Sequence, residues 1–264
     1  MEQPLTFEMF REVQAKLEAL GAPLSEYNFP NLFFFREKHE YHLVGDFIRG
    51  KSYLGETFYL PLKADFKAKE GPYFPIPDEW LKNFEGMKRY ERAEDRDYLF
   101  RRETLEGLPG RHRSGQRNQI AQFERDHPFA KVHPLEEEQF PLVLGLLDEW
   151  ELLVPEGDAK NAREALKYMD AFDLEGIMLE DGNEAAGFLI FSVQNSETLL
   201  LHFAKSLPRF KGAFPYLIRS LARATSYPWI NFEQDLGIEG IRKEKESLVP
   251  DLLKKKWWVS VQRG

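Results

Sequence analysis

The stretch GIMLEDGNEAAGFLIFSVQNSETLLLHFA, residues 176–204, decides the fold. It holds three apolar runs and two turn signals. Asp181-Gly182 separates the first two runs, and Asp-Gly between apolar runs is a strong two-residue hairpin signal. A second turn is expected near Asn195. The spacing predicts an antiparallel meander with strands over 176–180, 186–193 and 198–204. Working outward toward the C-terminus, a loop over 206–211 leads into a helix starting near Gly212. Phe214, Leu217, Leu221 and Ala224 lie along one face of that helix. A buried strand over 229–232, a charged helix over 238–247 and a closing strand over 257–261 follow. Toward the N-terminus, a helix over 136–153 shows Phe140, Val143, Leu144, Leu147 and Trp150 at helical spacing. A short strand over 129–133 precedes it, and Asp158 is expected to cap a second helix reaching about residue 172.

From residue 129 the predicted order is β-α-α-β-β-β-α-β-α-β. This order resembles the GCN5-related N-acetyltransferase fold, an α/β unit with a mixed central sheet flanked by helices. One such unit fills 129–264. The preceding 1–128 are expected to hold a shorter second unit, so the chain reads as two acetyltransferase-like units in tandem. Leu5, Met9, Val13, Leu17 and Leu20 form a helical stripe that Gly21 ends. Strand-like runs cover 33–35, 41–48 and 53–60. Pro72, Pro75 and Pro77 punctuate the next segment, and Pro77 opens a short helix through Trp80, Leu81 and Phe84. A strand over 98–101 and a basic helix over 109–126 complete this half.

Composition narrows the chemistry. The chain has 264 residues and no cysteine, which excludes disulfide scaffolds, thiolate metal sites and cysteine nucleophiles. No apolar run reaches the roughly 18–20 residues of a membrane span, and the N-terminus is not built like a secretory signal. A reducing, cytoplasmic setting is expected. The net charge is −8, so a general nucleic-acid coat is disfavoured. The charge is nevertheless uneven. Residues 101–125 carry six Arg against three Glu, and residues 236–264 carry seven Lys or Arg against four acids. Either these are two solvated faces, or they meet across one cleft and hold a polyanion.

Several motifs fail on inspection. Gly110 and Gly115 have phosphate-loop spacing, but Gln116 and Arg117 stand where Lys and Ser/Thr are needed. His39 and His42 fall on opposite faces of a strand, so no metal site is expected. The loop before the 212 helix is more informative. Arg209, Lys211 and Gly212 stand at a helix N-terminus, where free N–H groups favour an anion. An ordinary basic turn is the bland alternative. Arg209 and Gly212 fit the acetyltransferase pyrophosphate loop, while Phe214 occupies its last small position. The densest stretch is NFEQDLGIEGIRKEK, residues 231–245, at the C-terminal end of a buried strand, where open α/β sheets place ligands. It offers Asn231, the carboxylates Glu233 and Asp235, Gly237 and Gly240 for close approach, and the cations Arg242, Lys243 and Lys245. An exposed helix with a Glu239–Lys243 pair is its bland reading. His202, on the last meander strand, faces away from Leu201 and Phe203 and neighbours the strand ending at Glu233. It is either a structural histidine or a general base.

Three blocks together resemble the C-terminal catalytic domain of bacterial phosphatidylglycerol lysyltransferases: 108–118 (LPGRHRSGQRN), His202 to Lys205 with Lys211 to Ala213, and 231–245. The resemblance, with Asn28 to Leu32 near the start, covers nearly the whole chain. It implies transfer of an aminoacyl group from aminoacyl-tRNA to an amine or hydroxyl acceptor, small molecule or lipid, with no separate cofactor. It implies His202, Glu233 or Asp235 as the base. Arg113, Arg117, Lys205, Arg209, Lys211, Arg242 and Lys243 would hold phosphates, and Asn118 would orient the donor. An acyl-CoA-dependent N-acyltransferase using acetyl-CoA, or a non-catalytic binding module, are the alternatives on the same fold.

Overall fold

The computed structural model of the chain describes residues 2–64, 66 and 71–260. Its first elements are β1 (Glu2–Pro4), α1 (Phe10–Leu20), α2 (Phe29–Phe34), β2 (His42–Val44), β3 (Phe47–Lys51), β4 (Thr57–Pro61), β5 (Tyr73–Ile76) and β6 (Lys88–Glu91). Then come β7 (Asp97–Arg101), α3 (Arg102–Gly107), α4 (Ser114–Asp126), β8 (Lys131–Pro134), α5 (Phe140–Leu153) and α6 (Ala159–Lys167). The meander is β9 (Glu175–Asp181), β10 (Glu184–Asn195) and β11 (Thr198–Ser206). The chain closes through α7 (Ala213–Ala224), β12 (Trp229–Asn231), α8 (Glu239–Ser247), β13 (Leu252–Lys254) and β14 (Trp257–Ser260).

The strands form two seven-stranded sheets flanked by helices. One has the order β1-β2-β3-β4-β5-β14-β6, the other β13-β7-β12-β11-β10-β9-β8. Both mix parallel and antiparallel pairs. The α/β architecture expected of the sequence is therefore present. The chain packs as two units, 1–97 with 234–238 and 253–264, and 98–233 with 239–252. A division at residue 128 differs from this grouping: α4 and β7 belong with the second unit, apart from Asp97. The closing strand, expected at the end of the second unit, instead pairs with β5 and β6 of the first. Val261, assigned to that strand, and Arg263 of the basic tail lie outside the described residues.

Local expectations were also corrected. The run 33–35 is not a strand. It ends α2, whose six residues are all buried. Asn28 caps α2 by accepting from the Asn31 N–H at 3.2 Å, and Pro30 stands in its first turn. A short apolar run has no readable period, and this one is a buried helix. The run 41–48 is broken by Gly45, whose φ of +58° makes the tight turn between β2 and β3. In the second unit the meander forms as expected, and β9, β10 and β11 pair antiparallel in sequence.

Each unit has its own core. Phe74 and Trp258 stack at 4.2 Å in the first, against Phe58. Beside them a buried polar knot joins the unit's separate segments. Lys256 Nζ donates to Asp97 at 2.6 Å, Glu26 at 2.8 Å, Ser25 Oγ at 2.9 Å and Gln234 Oε1 at 2.6 Å. A wholly buried ammonium is tolerable only with such partners. In the second unit, Val143 and Leu147 of α5 and Leu217 and Leu221 of α7 are buried, as are Phe188, Leu200, Phe203 and Ile230 of the sheet. Each such side chain contributes roughly 1.5–3 kcal/mol of burial.

Candidate functional site

The site grows from one irregularity in the second sheet. β11 and β12 run parallel and pair only over Thr198–Trp229, Leu199–Ile230 and Leu200–Asn231. Beyond these pairs β11 continues to Ser206, while β12 ends at Asn231. On its other edge, β11 changes register with β10. Phe191 faces Leu201 and Ile190 faces Phe203, which leaves His202 as the extra residue. Such a bulge re-aims a side chain. It also breaks the alternation from which His202 was expected to face away from its neighbours.

His202 is thereby held between two polar groups. Its Nε2 lies 2.8 Å from Ser192 Oγ on β10, and its Nδ1 lies 3.4 Å from Glu233 Oε1. The imidazole is wholly buried, whereas the Glu233 side chain keeps 13% of its surface. The carboxylate is thus the outward group and the histidine stands behind it. Glu233 has φ +59°, a left-handed conformation that costs a side-chain-bearing residue energy and tends to persist at functional sites. Its neighbours enforce it. The Glu233 N–H donates to Asn231 Oδ1 at 2.8 Å, and its carbonyl accepts from the Tyr98 N–H at 3.1 Å and from Lys245 Nζ at 3.3 Å. Asn231 is buried and donates onward to Gln194 Oε1 at 3.1 Å. Ser192 and Tyr98 are parts of this arrangement that sequence reasoning did not include among site residues, and Lys245, expected as a cation of the site, serves instead to bind the backbone carbonyl of Glu233. The signal for Ser192 was a lone hydroxyl ending the apolar run of β10.

The third expected carboxylate stands elsewhere. Asp235 belongs to the first unit, is fully buried, and accepts the Gly237 N–H at 2.7 Å. It shapes a turn in which Leu236 and Gly237 also have positive φ. Gly240 has open space where a Cβ would stand, so no close approach depends on it.

Most of the expected anion-binding cations are occupied. Arg113 Nε and Nη2 donate to the carbonyls of Leu248 and Val249 at 3.1 and 2.6 Å. Gln116 donates to the Ser247 carbonyl. The start of α4 and the end of α8 therefore meet, guanidinium and amide to carbonyl. Arg117 Nη1 donates to Leu108 and Gly110, tying the turn before α4, and Asn118 is exposed on that helix. Lys205 pairs with Asp158 at 2.9 Å and lies over the Trp150 ring; Asp158 stands at the N-cap position of α6 as expected, but its side chain makes this ion pair and no capping hydrogen bond. Arg209 lines a cleft of about 330 Å³ and is held there by Glu149 and Glu184. Lys243 makes the exposed pair with Glu239 at 2.5 Å. Lys211 is exposed, and Arg242 is partly exposed on α8.

Gly212 has φ +88°, and the space of its absent Cβ is filled by the Gln119 carbonyl, 2.3 Å from where that atom would lie. The first turn of α7 offers an anion little. The Ala213 N–H is bonded to the Phe210 carbonyl, Pro215 has no N–H, and the Tyr216 N–H is bonded to the Gly212 carbonyl.

Comparison with known proteins places this geometry. The model of the family described as phosphatidylglycerol lysyltransferase, C-terminal, matches residues 68–260, most of the chain. The chain belongs to that family. The matched segment includes β10, β11, β12 and every residue of the Ser192–His202–Glu233 arrangement. Among solved structures, this member of the lysyltransferase C-terminal family is similar to a conserved protein of unknown function from Bacteroides thetaiotaomicron. The identity is 23%, 99% of each chain is covered and the TM-score is 0.81. It is also similar to L-PGS from Bacillus licheniformis, at 15% identity, with 99% and 93% of the chains covered and a TM-score of 0.60. FemX matches at 10% identity, 99% and 97% coverage and a TM-score of 0.59. At these identities the likeness carries the fold. No curated protein matches the chain. Among the described residues, no helix of this family member is long and apolar enough to cross a membrane.

Proposed function

We propose that the chain is an aminoacyltransferase that moves an aminoacyl group from aminoacyl-tRNA to an amine or hydroxyl acceptor, with Glu233 as the general base. Membership of a family named for lysyl transfer supports the reaction class, and the proposal extends it to donor and base. The observation that carries the choice of base is the order of burial: of the three candidates, Glu233 alone keeps exposed side-chain surface, where β11 and β12 part. His202 is sealed behind it, and Asp235 is spent on a turn. An aminoacyl ester is already activated. Catalysis therefore needs the acceptor placed against the ester carbonyl and its proton removed. Glu233 would take that proton. Its backbone is fixed by Asn231, Tyr98 and Lys245. Lys211, exposed just before α7, would hold a donor phosphate.

The acyl-CoA reading is disfavoured by the first turn of α7, where few N–H groups remain for a pyrophosphate. Incubation with total charged tRNA carrying labelled amino acids tests the proposal. Label should pass to an acceptor fraction of lipids, peptides or small amines. Glu233→Gln should slow this by about 10²–10⁴-fold with the fold intact. Stabilisation by acetyl-CoA, with no transfer from tRNA, would overturn it.

A further inference from the structure

The outward face of α4 has no role in the reaction just described. The helix buries Gln116, Ile120 and Phe123 along one side. At helical spacing the opposite side presents Asn118, Gln122 and Arg125, and Arg111, in the turn before the helix, continues the line. All four are exposed, and among the described residues neither Arg111 nor Arg125 makes an ion pair. Of the neighbouring acids, Glu124 is bound to Arg219, and Asp126 ends the helix. A chain of net charge −8 thus keeps one helix face of amides and uncommitted guanidiniums. Two further groups border it. Lys211 is exposed and precedes Gly212, which is packed on the Gln119 carbonyl in the middle of α4. At the far end Phe129 stands 84% exposed in the turn that follows the helix, which the Ala130 N–H closes on the His127 carbonyl at 3.1 Å.

We propose that this face docks the phosphodiester backbone of an RNA, with the Phe129 ring stacking on an unpaired base. The inference rests on the reading of aminoacyl-tRNA as the donor, and it deepens that reading by naming where the body of the donor lies. Phosphate oxygens accept from guanidinium groups and from Asn and Gln amides alike. Unpaired bases stack on exposed aromatic rings. At 1.5 Å per residue α4 is about 20 Å long, so its face can follow several nucleotides. A bilayer or a protein partner suits the face less, because both are held through large apolar side chains, and the only exposed apolar side chain of α4 itself is that of Ala121.

Fluorescence anisotropy of labelled, deacylated total tRNA with the whole chain, over a salt series, reads this surface directly. The wild type should bind, with affinity falling as salt rises. The double variant Arg111→Ala, Arg125→Ala should bind about tenfold more weakly and flatten the salt slope by roughly 1.4–1.8, the share of two phosphates. Phe129→Ala should weaken binding about tenfold and leave the slope unchanged. Lys167→Ala, which removes an exposed cation from α6, should bind as the wild type does. If the double variant does not fold, Arg111→Gln and Arg125→Gln, taken singly, should each flatten the slope by about half as much. No binding of tRNA by the wild type overturns the proposal, as does an unchanged slope in the α4 variants or an equal loss in Lys167→Ala. Binding to phosphatidylglycerol vesicles but not to tRNA, lost in the same variants, would overturn it in favour of a membrane surface. The measurement needs no turnover, and Glu233→Gln should bind tRNA normally. Intact binding without aminoacyl transfer would therefore sink the reaction alone, and transfer with normal binding by the α4 variants would sink the surface alone.

Discussion

At Gly212 a backbone conformation and a contact make the same demand. Its φ of +88° is one that side-chain-bearing residues rarely adopt, and an added Cβ would lie 2.3 Å from the Gln119 carbonyl and 3.1 Å from Phe123 Cβ. The Gln119 carbonyl is backbone inside α4, so it cannot step aside cheaply. Gly212→Ala should therefore destabilise the protein by about 2–4 kcal/mol, the sum of left-handed strain and overpacking. A lowered urea midpoint with an unchanged slope would show it. Gly240→Ala is the control. Gly240 lies within α8 with open space around it, so the exchange should be neutral or stabilise by roughly 0.5–1 kcal/mol. Equal losses at both positions would refute the packing argument. The sequence placed Gly212 at a helix N-terminus suited to an anion, and the packing of Gln119 against it was illegible, because Gln119 is distant along the chain. Glu233 and Asp235 show the same limit. Two residues apart after a strand, they look equivalent, and only the positive φ at Glu233 and Leu236 sends them to different tasks.

Among elements, the joint between α4 and α8 is made by Arg113 and Gln116. A helix C-terminus leaves carbonyls without intrahelical donors. Here the Arg113 guanidinium serves those of Leu248 and Val249, just past α8, and approaches Asp251 at 3.9 Å. Arg113→Ala strips partners from two carbonyls at once. It should cost about 2–3 kcal/mol, and Arg113→Lys should recover little because an ammonium lacks the planar fork. Amide hydrogen exchange across α8 should rise in both variants; exchange that stays at the wild-type rate would show that α8 is held by other means. Elements were legible where their signals are local. The Asp181-Gly182 turn was read directly, and the apolar faces of α5 and α7 in part: Val143, Leu147, Leu217 and Leu221 are buried as expected, whereas Leu144 and Ala224 are exposed. The place of an element was not legible when a partner far along the chain decides it. The apolar pattern of β14 says strand, but it does not say that β5 and β6 are its neighbours. The buried helix α2 was missed for a related reason, since a run of phenylalanines without polar punctuation satisfies either period.

At the scale of the whole molecule, the first unit is assembled from three separated segments, and the Lys256 knot is where they meet. Burial pushes the Glu26 carboxyl up, against the pull of Lys256, to about 7 from an ordinary 4.5. Burial also works against the charged form of Lys256, but Asp97 and Glu26 outweigh it and raise the ammonium above its usual value. The signs follow from proton binding. Between about pH 4.5 and 7 the folded chain retains a proton on Glu26 that the unfolded chain releases, so this group's contribution to stability is full on the acid side and falls as pH rises. Above about pH 7 both states are ionised and the loss is complete. Lys256 titrates only above the ordinary lysine range and adds no slope in this window. A shift of this size corresponds to about 3 kcal/mol. Asp95, also raised by burial, tilts stability the same way, and His39, lowered by burial, tilts it oppositely. The diagnostic quantity is therefore a difference between variants. Glu26→Gln keeps the side chain's shape and removes its titration. The stability of the wild type relative to Glu26→Gln, from urea midpoints, should decline between pH 5 and pH 8. A difference independent of pH would mean that Glu26 is ionised throughout, making the knot a plain ion pair among Lys256, Asp97 and Glu26 rather than one that shares a proton.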